Sequence, residues 1–298
     1  MAFRTRNCSL TRRVLILLGV SASIAYFLIF FYLQAYPPLY KVLQRPGEIS
    51  QALVLVKVEA EDVTWAYKLR PSWTPFIYTA DNEAGYSLRL PVNHGREAMA
   101  YLTFVIDYYD TLPELVAFVH GKDFQWHNTI PGTLNSEVLP ALNVDAANSK
   151  GYVNLRCDHG PGCPLSVNPH NPTETDIRKH DIRAYFVEVY MELFNITTRE
   201  AVPEHIGGVC CAQFAVTRER IRQRPREDYE RMRKWALTTD LDSFGIGWVF
   251  EKIWHIIFLE DAIFCPAVET CQSISEQGFC GTADLAELAE SGLEQTLR

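Results

Sequence analysis

Between residues 120 and 128 the chain places two imidazoles, an amine, a carboxylate, an indole and an amide, as His120-Gly121-Lys122-Asp123 followed by Trp126-His127-Asn128. Such a set can move a proton, neutralise an anion and stack on a ring, which together serve a polar ring-bearing substrate. Gly121, lacking a Cβ, would let the backbone come close to a ligand, and Trp126 offers a face to a base or a sugar ring. The plain alternative is a polar loop with capping residues. A second pair is Glu251 and His255, four residues apart and neighbours on a helix surface beside Trp254. There the carboxylate would raise the imidazole pKa and the two could act as acid and base; a hydrogen-bonded core histidine is the alternative.

Other constellations carry weaker chemistry. Cys157-Asp158-His159-Gly160-Pro161-Gly162-Cys163 reads either as a disulfide across a Gly/Pro turn or, less simply, as zinc ligation through Cys157, His159 and Cys163. Cys210 and Cys211 would point to opposite faces of a strand, so at most one lines a pocket. Arg218, Arg220, Arg222, Arg224 and Arg226, with Arg231, Arg233 and Lys234, could meet a diphosphate. Glu219, Glu227, Asp228 and Glu230 are interleaved with them, and the simpler reading is a solvated, salt-bridged helical hairpin.

The elements that must position these groups alternate. Ala52–Val58, Phe76–Thr79, Leu115–His120 and Cys210–Val216 are short apolar runs suited to buried strands. Between and after them lie helical stretches: Arg96–Tyr109, whose Ala98, Tyr101, Leu102, Val105, Ile106 and Tyr109 form one stripe, an Arg-rich helix from Arg218, another over Pro225–Leu237, and the stripe Phe250, Ile253, Trp254, Ile257, Phe258. This order predicts an α/β fold with a mainly parallel sheet and helices on both faces. Ligands in such sheets bind outside the carboxyl ends of the strands. The expectation is therefore one pocket after Val119, with Asp123, Glu251 and His255 catalytic, His120, Lys122, Trp126, His127 and Asn128 binding substrate, and Gln213 as a third wall.

At 298 residues, 48% hydrophobic and 21% charged, the composition is globular and excludes a disordered or coiled-coil chain. Residues 1–50 hold six Lys/Arg and one acid, leaving 22 bases against 35 acids beyond, which argues against nucleic acid as a partner of the body. Residues 14–36 carry no charge and are long enough to span a bilayer as a helix, with Arg4, Arg6, Arg12 and Arg13 ahead of them. The expected order is a cytosolic segment (1–13), a transmembrane signal anchor (14–36), a stem (37–50), a lumenal α/β domain (51–268) and an acidic tail (269–298). That makes a type II membrane protein of the endoplasmic reticulum or Golgi; a signal peptide cleaved near Val20-Ser21-Ala22 is the alternative. In a lumen Asn195-Ile196-Thr197 is a usable glycosylation sequon and seven cysteines meet oxidising conditions.

The blocks GREAMAYLTFVIDYYDTLPELVAFVHGKDFQWHN, GYVNLRCDHGPGCP, CCAQFAVTRERIRQRPREDYERMRKWALTTDLDS and VFEKIWHIIF resemble, in this order, the fungal family of domain of unknown function 3431. Some of its members are labelled glycosyltransferases, and its strand–helix pattern is similar to the nucleotide-sugar-binding GT-A fold. The resemblance implies an enzyme moving a sugar from a nucleotide sugar to a small-molecule or glycan acceptor, or a non-enzymatic lumenal binding protein on the same fold. GT-A enzymes commonly hold a divalent cation on an Asp-x-Asp after a central strand. Here that strand end has one carboxylate, Asp123, and the only Asp-x-Asp is Asp240-Leu241-Asp242, so no metal ligand set is assigned.

Overall fold

The computed structural model describes residues 49–271, except 59, 129–133 and 269. The expected anchor (14–36) and nearly all of the stem and acidic tail lie outside the described residues. The chain divides into Met1–Leu43 and Gln44–Arg298, and every described residue belongs to the second unit. Among the described residues no helix is long and apolar enough to cross a membrane.

Eight strands are present among the described residues: β1 (Gln51–Lys57), β2 (Thr74–Thr79), β3 (Leu88–Arg89), β4 (Leu115–Phe118), β5 (Tyr152–Asn154), β6 (Gly207–Gly208), β7 (Phe214–Thr217) and β8 (Ile263–Phe264). The α-helices are α1 (Thr64–Lys68), α2 (Glu97–Tyr108), α3 (Asn135–Ala141), α4 (Val144–Lys150), α5 (Glu174–Lys179), α6 (Phe186–Phe194), α7 (Arg218–Arg222), α8 (Arg226–Thr238) and α9 (Ser243–Ile257). The main sheet has the order β3-β2-β1-β4-β7-β5. Its first four strands are parallel neighbours, whereas β7 runs antiparallel to both β4 and β5. The fold is thus α/β with a mostly parallel, mixed sheet. β6 and β8 form a separate parallel pair.

Alternation along the strands builds two cores, one on each face. Ala52, Val54, Phe76, Tyr78, Val116, Phe118, Phe214 and Val216 pack with α2, α6, α8 and α9. Leu53, Leu55, Ile77, Leu115, Ala117 and Ala215 pack with Trp65 of α1, Leu139 of α3 and Ala147 of α4. The helix expected over Arg96–Tyr109 is present as α2, but it is buried on all sides from Ala98 to Ile106 instead of along one stripe, and Tyr109 lies just past its end, half-buried.

The structure corrects two expectations about cysteines. The run Cys210–Val216 is strand only from Phe214. Cys211 and Ala212 take φ of +89° and +51°, left-handed values that no strand accommodates, and Cys210 and Cys211 are bonded to each other. They therefore do not present opposite strand faces. Cys157 and Cys163 are both in disulfides, but with Cys271 and Cys265 instead of each other. Cys265 and Pro266 lie beside the Gly/Pro turn, with His159 Nε2 2.7 Å from the Pro266 carbonyl oxygen. With both sulfurs bonded and that ring occupied, the zinc reading of this turn fails as well.

The Arg-rich segment forms the expected pair of salt-bridged helices, α7 and α8, with Arg224–Asp228, Arg226–Glu230 and Arg231–Asp228 pairs, and several of its guanidinium groups also turn onto backbone carbonyls. Arg224 donates to the carbonyls of Ile256 and Ile257, Arg220 to those of Phe258 and Leu259, and Arg222 to those of Tyr109 and Asp110. These carbonyls lie at or just past the C-terminal ends of α9 and α2, where helices leave acceptors unsatisfied and favour positive charge. Arg218 holds the Leu112 carbonyl in the same way.

Candidate functional site at the carboxyl rim of the sheet

Strand order reverses between β1 and β4, and crevices at such points are where open α/β sheets take ligands. Because β7 is antiparallel, with Phe118 of β4 opposite its first residue Phe214, the segment leading into β7 reaches the same rim. The rim therefore gathers the loops after β1, β2, β4 and β5 and the Cys210–Gln213 segment.

The loop after β4 is held by a chain of buried amides. Gln213 Oε1 accepts the His120 backbone N–H at 3.2 Å, and Gln213 Nε2 donates to Asn128 Oδ1 at 2.6 Å. Asn128 Nδ2 donates to Asn135 Oδ1, whose own Nδ2 reaches the carbonyls of His120 and Lys122. Gln213, Asn128 and Asn135 are all buried, so the side chains expected to touch substrate at positions 128 and 213 instead fix the loop. Asp123 does the same. Its oxygens accept the N–H and the hydroxyl of Ser136, each at 2.8 Å, in the first turn of α3. These two contacts tie Asp123 to the start of α3 and so position the loop.

Gly121 is required for a different reason from the one expected. A Cβ there would stand 2.5 Å from the Val56 carbonyl oxygen and 3.0 Å from a Glu61 carboxylate oxygen, and the Trp65 indole N–H donates to the Gly121 carbonyl at 2.9 Å. The close approach is to β1 and its following loop.

What faces outward is an aromatic row. His120 and His127 have ring centroids 4.6 Å apart, and His127 and Trp126 3.9 Å apart. Trp126 is 59% exposed and Phe124 62%. Lys122 is also exposed. His120 Nε2 sits 2.9 Å from the Cys211 carbonyl oxygen. His127 is pushed down to about 4 by partial burial first, then by His120 and Arg156, so it is neutral at physiological pH.

Arg156, just beyond β5, is a residue that the spacing arguments miss. It is buried, and its Nη1 donates to the carbonyls of Trp126 and Asn128 while Nη2 reaches Asp158 and the Gly160 carbonyl. It clamps the β4 loop to the β5 loop. The Arg156 Nε and His127 Nδ1 atoms are buried without a partner among the described residues. Lys57, at the end of β1, is likewise buried, paired with Glu83 and lying 4.9 Å above the Tyr86 ring. A lysine inside an apolar strand run was its sequence signal.

Glu251 and His255 are not brought into this cluster. His255 is 4% exposed, stacks on Phe264, lies against Gly208 and contacts the Ala262 carbonyl. Burial pushes it down to about 4, the opposite of the expected rise, and Glu251 pairs with Lys252 instead. Among the described residues, no hydrogen bond, ion pair or ring contact joins either residue to the His120 loop. Asp240-Leu241-Asp242 precedes α9, where Asp242 Oδ1 caps Gly245 N–H at 2.7 Å. Among the described residues no three His, Cys, Asp or Glu side chains are grouped so as to hold a metal ion. Asn195 is exposed, in the left-handed position ending α6.

No curated protein and no solved structure matches the chain. A family model does match, over residues 53–274, from the first core strand to just past the last described cysteine and so across every loop of the rim: the chain belongs to the family of proteins of unknown function DUF3431.

Proposed function

We propose that this chain is a membrane-anchored, GT-A-like glycosyltransferase whose nucleotide-sugar donor lies at the carboxyl rim, over the aromatic row His120–His127–Trp126. The observation that carries the reading is the placement of that row: an exposed indole and two imidazoles beside the point where strand order reverses, on a loop fixed by four buried hydrogen-bonding side chains. In this reading Trp126 stacks on the base or sugar, Lys122 meets the diphosphate, and the imidazoles hydrogen-bond the transferred sugar. Asp123, Asn128, Gln213 and Arg156 hold the loop. The second reading, a non-enzymatic binding protein on the same rim, is favoured by the commitment of Asp123 to Ser136.

Thermal-shift titration with UDP- and GDP-sugars, with and without Mn²⁺, separates these from an empty surface. A ligand at about 100 times its Kd adds ~2.7 kcal/mol, a rise of several degrees. The expected result is a shift with at least one nucleotide sugar that Trp126→Ala removes, together with release of labelled sugar; a shift without release leaves the binding protein. No shift across the whole set sinks the donor site. Anchoring through 14–36 and a lumenal body rest on the uncharged run and the Asn195 sequon. Carbonate extraction should leave the protein in membranes, and glycosidase should increase its gel mobility.

A further inference from the structure

Three disulfides stand among the described residues, and they do different work. Cys157–Cys271 and Cys163–Cys265 close loops with sequence separations of 114 and 102, long enough for a cross-link to constrain the unfolded chain strongly. Cys210–Cys211 joins neighbours, which the unfolded chain keeps close in any case. It does little for the fold by that route. Yet the backbone around it is costly: Cys211 and Ala212 are consecutive non-glycine residues at positive φ.

Both strained residues aim a carbonyl at a ring-bearing side chain. Tyr101 Oη donates to the Ala212 carbonyl oxygen at 3.2 Å, and His120 Nε2 lies 2.9 Å from the Cys211 carbonyl oxygen. The next residue, Gln213, holds the His120 backbone. We propose that the Cys210–Cys211 ring is a redox-set positioning device for His120: closed, it turns the Cys211 carbonyl toward the imidazole; opened, it lets residues 211–212 relax and releases the ring. The assignment of His120 to a substrate site rests on the function proposed above; the positioning itself does not.

The reductant is a dithiol. Its thiolate attacks one sulfur of the pair to give a mixed disulfide, and its second thiol resolves that. Net, the Cys210–Cys211 bond is replaced by two S–H bonds, and the dithiol gives up two electrons and two protons as it closes to its own disulfide. Since Cys210 and Cys211 are 3% and 4% exposed, the reaction requires local opening.

The test uses the full chain, purified without reductant in detergent, with histidines labelled for NMR and the His120 signal assigned through His120→Gln. Graded dithiothreitol is followed by alkylation and peptide mapping. The expected result is labelling of Cys210 and Cys211 while Cys157–Cys271 and Cys163–Cys265 stay closed, with a moved His120 imidazole signal. The double variant Cys210→Ser, Cys211→Ser should show that moved signal without reductant. An unmoved His120 signal in either the opened protein or the double variant overturns the proposal. So does labelling of Cys210 and Cys211 with no reductant, or prior opening of the long-range pairs. Nucleotide-sugar affinity, measured alongside, should weaken about tenfold on opening, the loss expected for one well-placed hydrogen bond. A His120 signal that moves in a protein binding no nucleotide sugar in either state supports the device and removes the transferase.

Discussion

Gln213→Ala is the sharpest probe of whether the rim loop is built by its buried amides. The side chain is 1% exposed and makes two hydrogen bonds, accepting from the His120 N–H and donating to Asn128 Oδ1 at 2.6 Å. Truncation deprives the His120 N–H of that acceptor and Asn128 of its short donor, each loss costing ~1–3 kcal/mol when the partner stays buried. Together with the space vacated, ~2–5 kcal/mol is expected, a large share of the ~5–15 kcal/mol typical of a domain. Urea unfolding, with the slope unchanged and the midpoint lowered, measures it. Because Asn128 is the next link in the same relay, the double variant Gln213→Ala, Asn128→Ala should cost less than the sum of the single changes. A Gln213→Ala loss below about 0.5 kcal/mol, or strict additivity with Asn128→Ala, would refute a coupled relay.

Arg156→Lys should behave nearly as badly as Arg156→Ala, losing ~2–4 kcal/mol, because one ammonium cannot serve two carbonyls on one loop and Asp158 with Gly160 on the other; proteolysis near residues 122–128 should accelerate in both, and a lysine that restores resistance would contradict the clamp. Since His255 falls from 6.5 to about 4 on folding, the unfolded chain takes up the proton first as pH drops. Stability from this residue is then complete above about pH 6.5 and lost progressively toward pH 4, by ~3 kcal/mol, and His255→Gln should flatten the profile measured by urea unfolding between those limits. Gly121→Ala meets the Val56 carbonyl oxygen at 2.5 Å and should lower stability by ~1–3 kcal/mol, read as a fall in Tm; an unchanged Tm would mean that the loop has room to retreat.

Periodicity exposed what depends on burial averaged over many residues. The α2 helix, β1, β2 and β4 were legible because each has a repeating apolar face that sits in a core. β5, three residues long, and α6 were not among the expected elements, the first being too short to show a pattern. Single-residue fates were hidden. Glu251 and His255 share a helix face in any reading, but whether His255 meets solvent or Phe264 and Gly208 depends on two segments outside the helix, one just after it and one well before it. Disulfide partners 102 and 114 residues apart carry no local signal, and the turn between Cys157 and Cys163 gave a misleading one. The loop after β4 was found from its chemical density, yet density did not say that Asp123 and Asn128 spend their polar atoms inward.

The arginine clamps have a consequence for how the protein breathes. Arg220, Arg222 and Arg224 lie within one short stretch after β7, yet they grip the terminal turns of two different helices, α2 and α9. Fraying of either helix end removes ligands from the same stretch, so the two ends are expected to open together as one cooperative unit instead of independently. In amide hydrogen exchange the last turns of α2 and α9 would then share one protection level and one denaturant dependence, although more than 140 residues separate them in sequence, and Arg222→Ala would lower both at once.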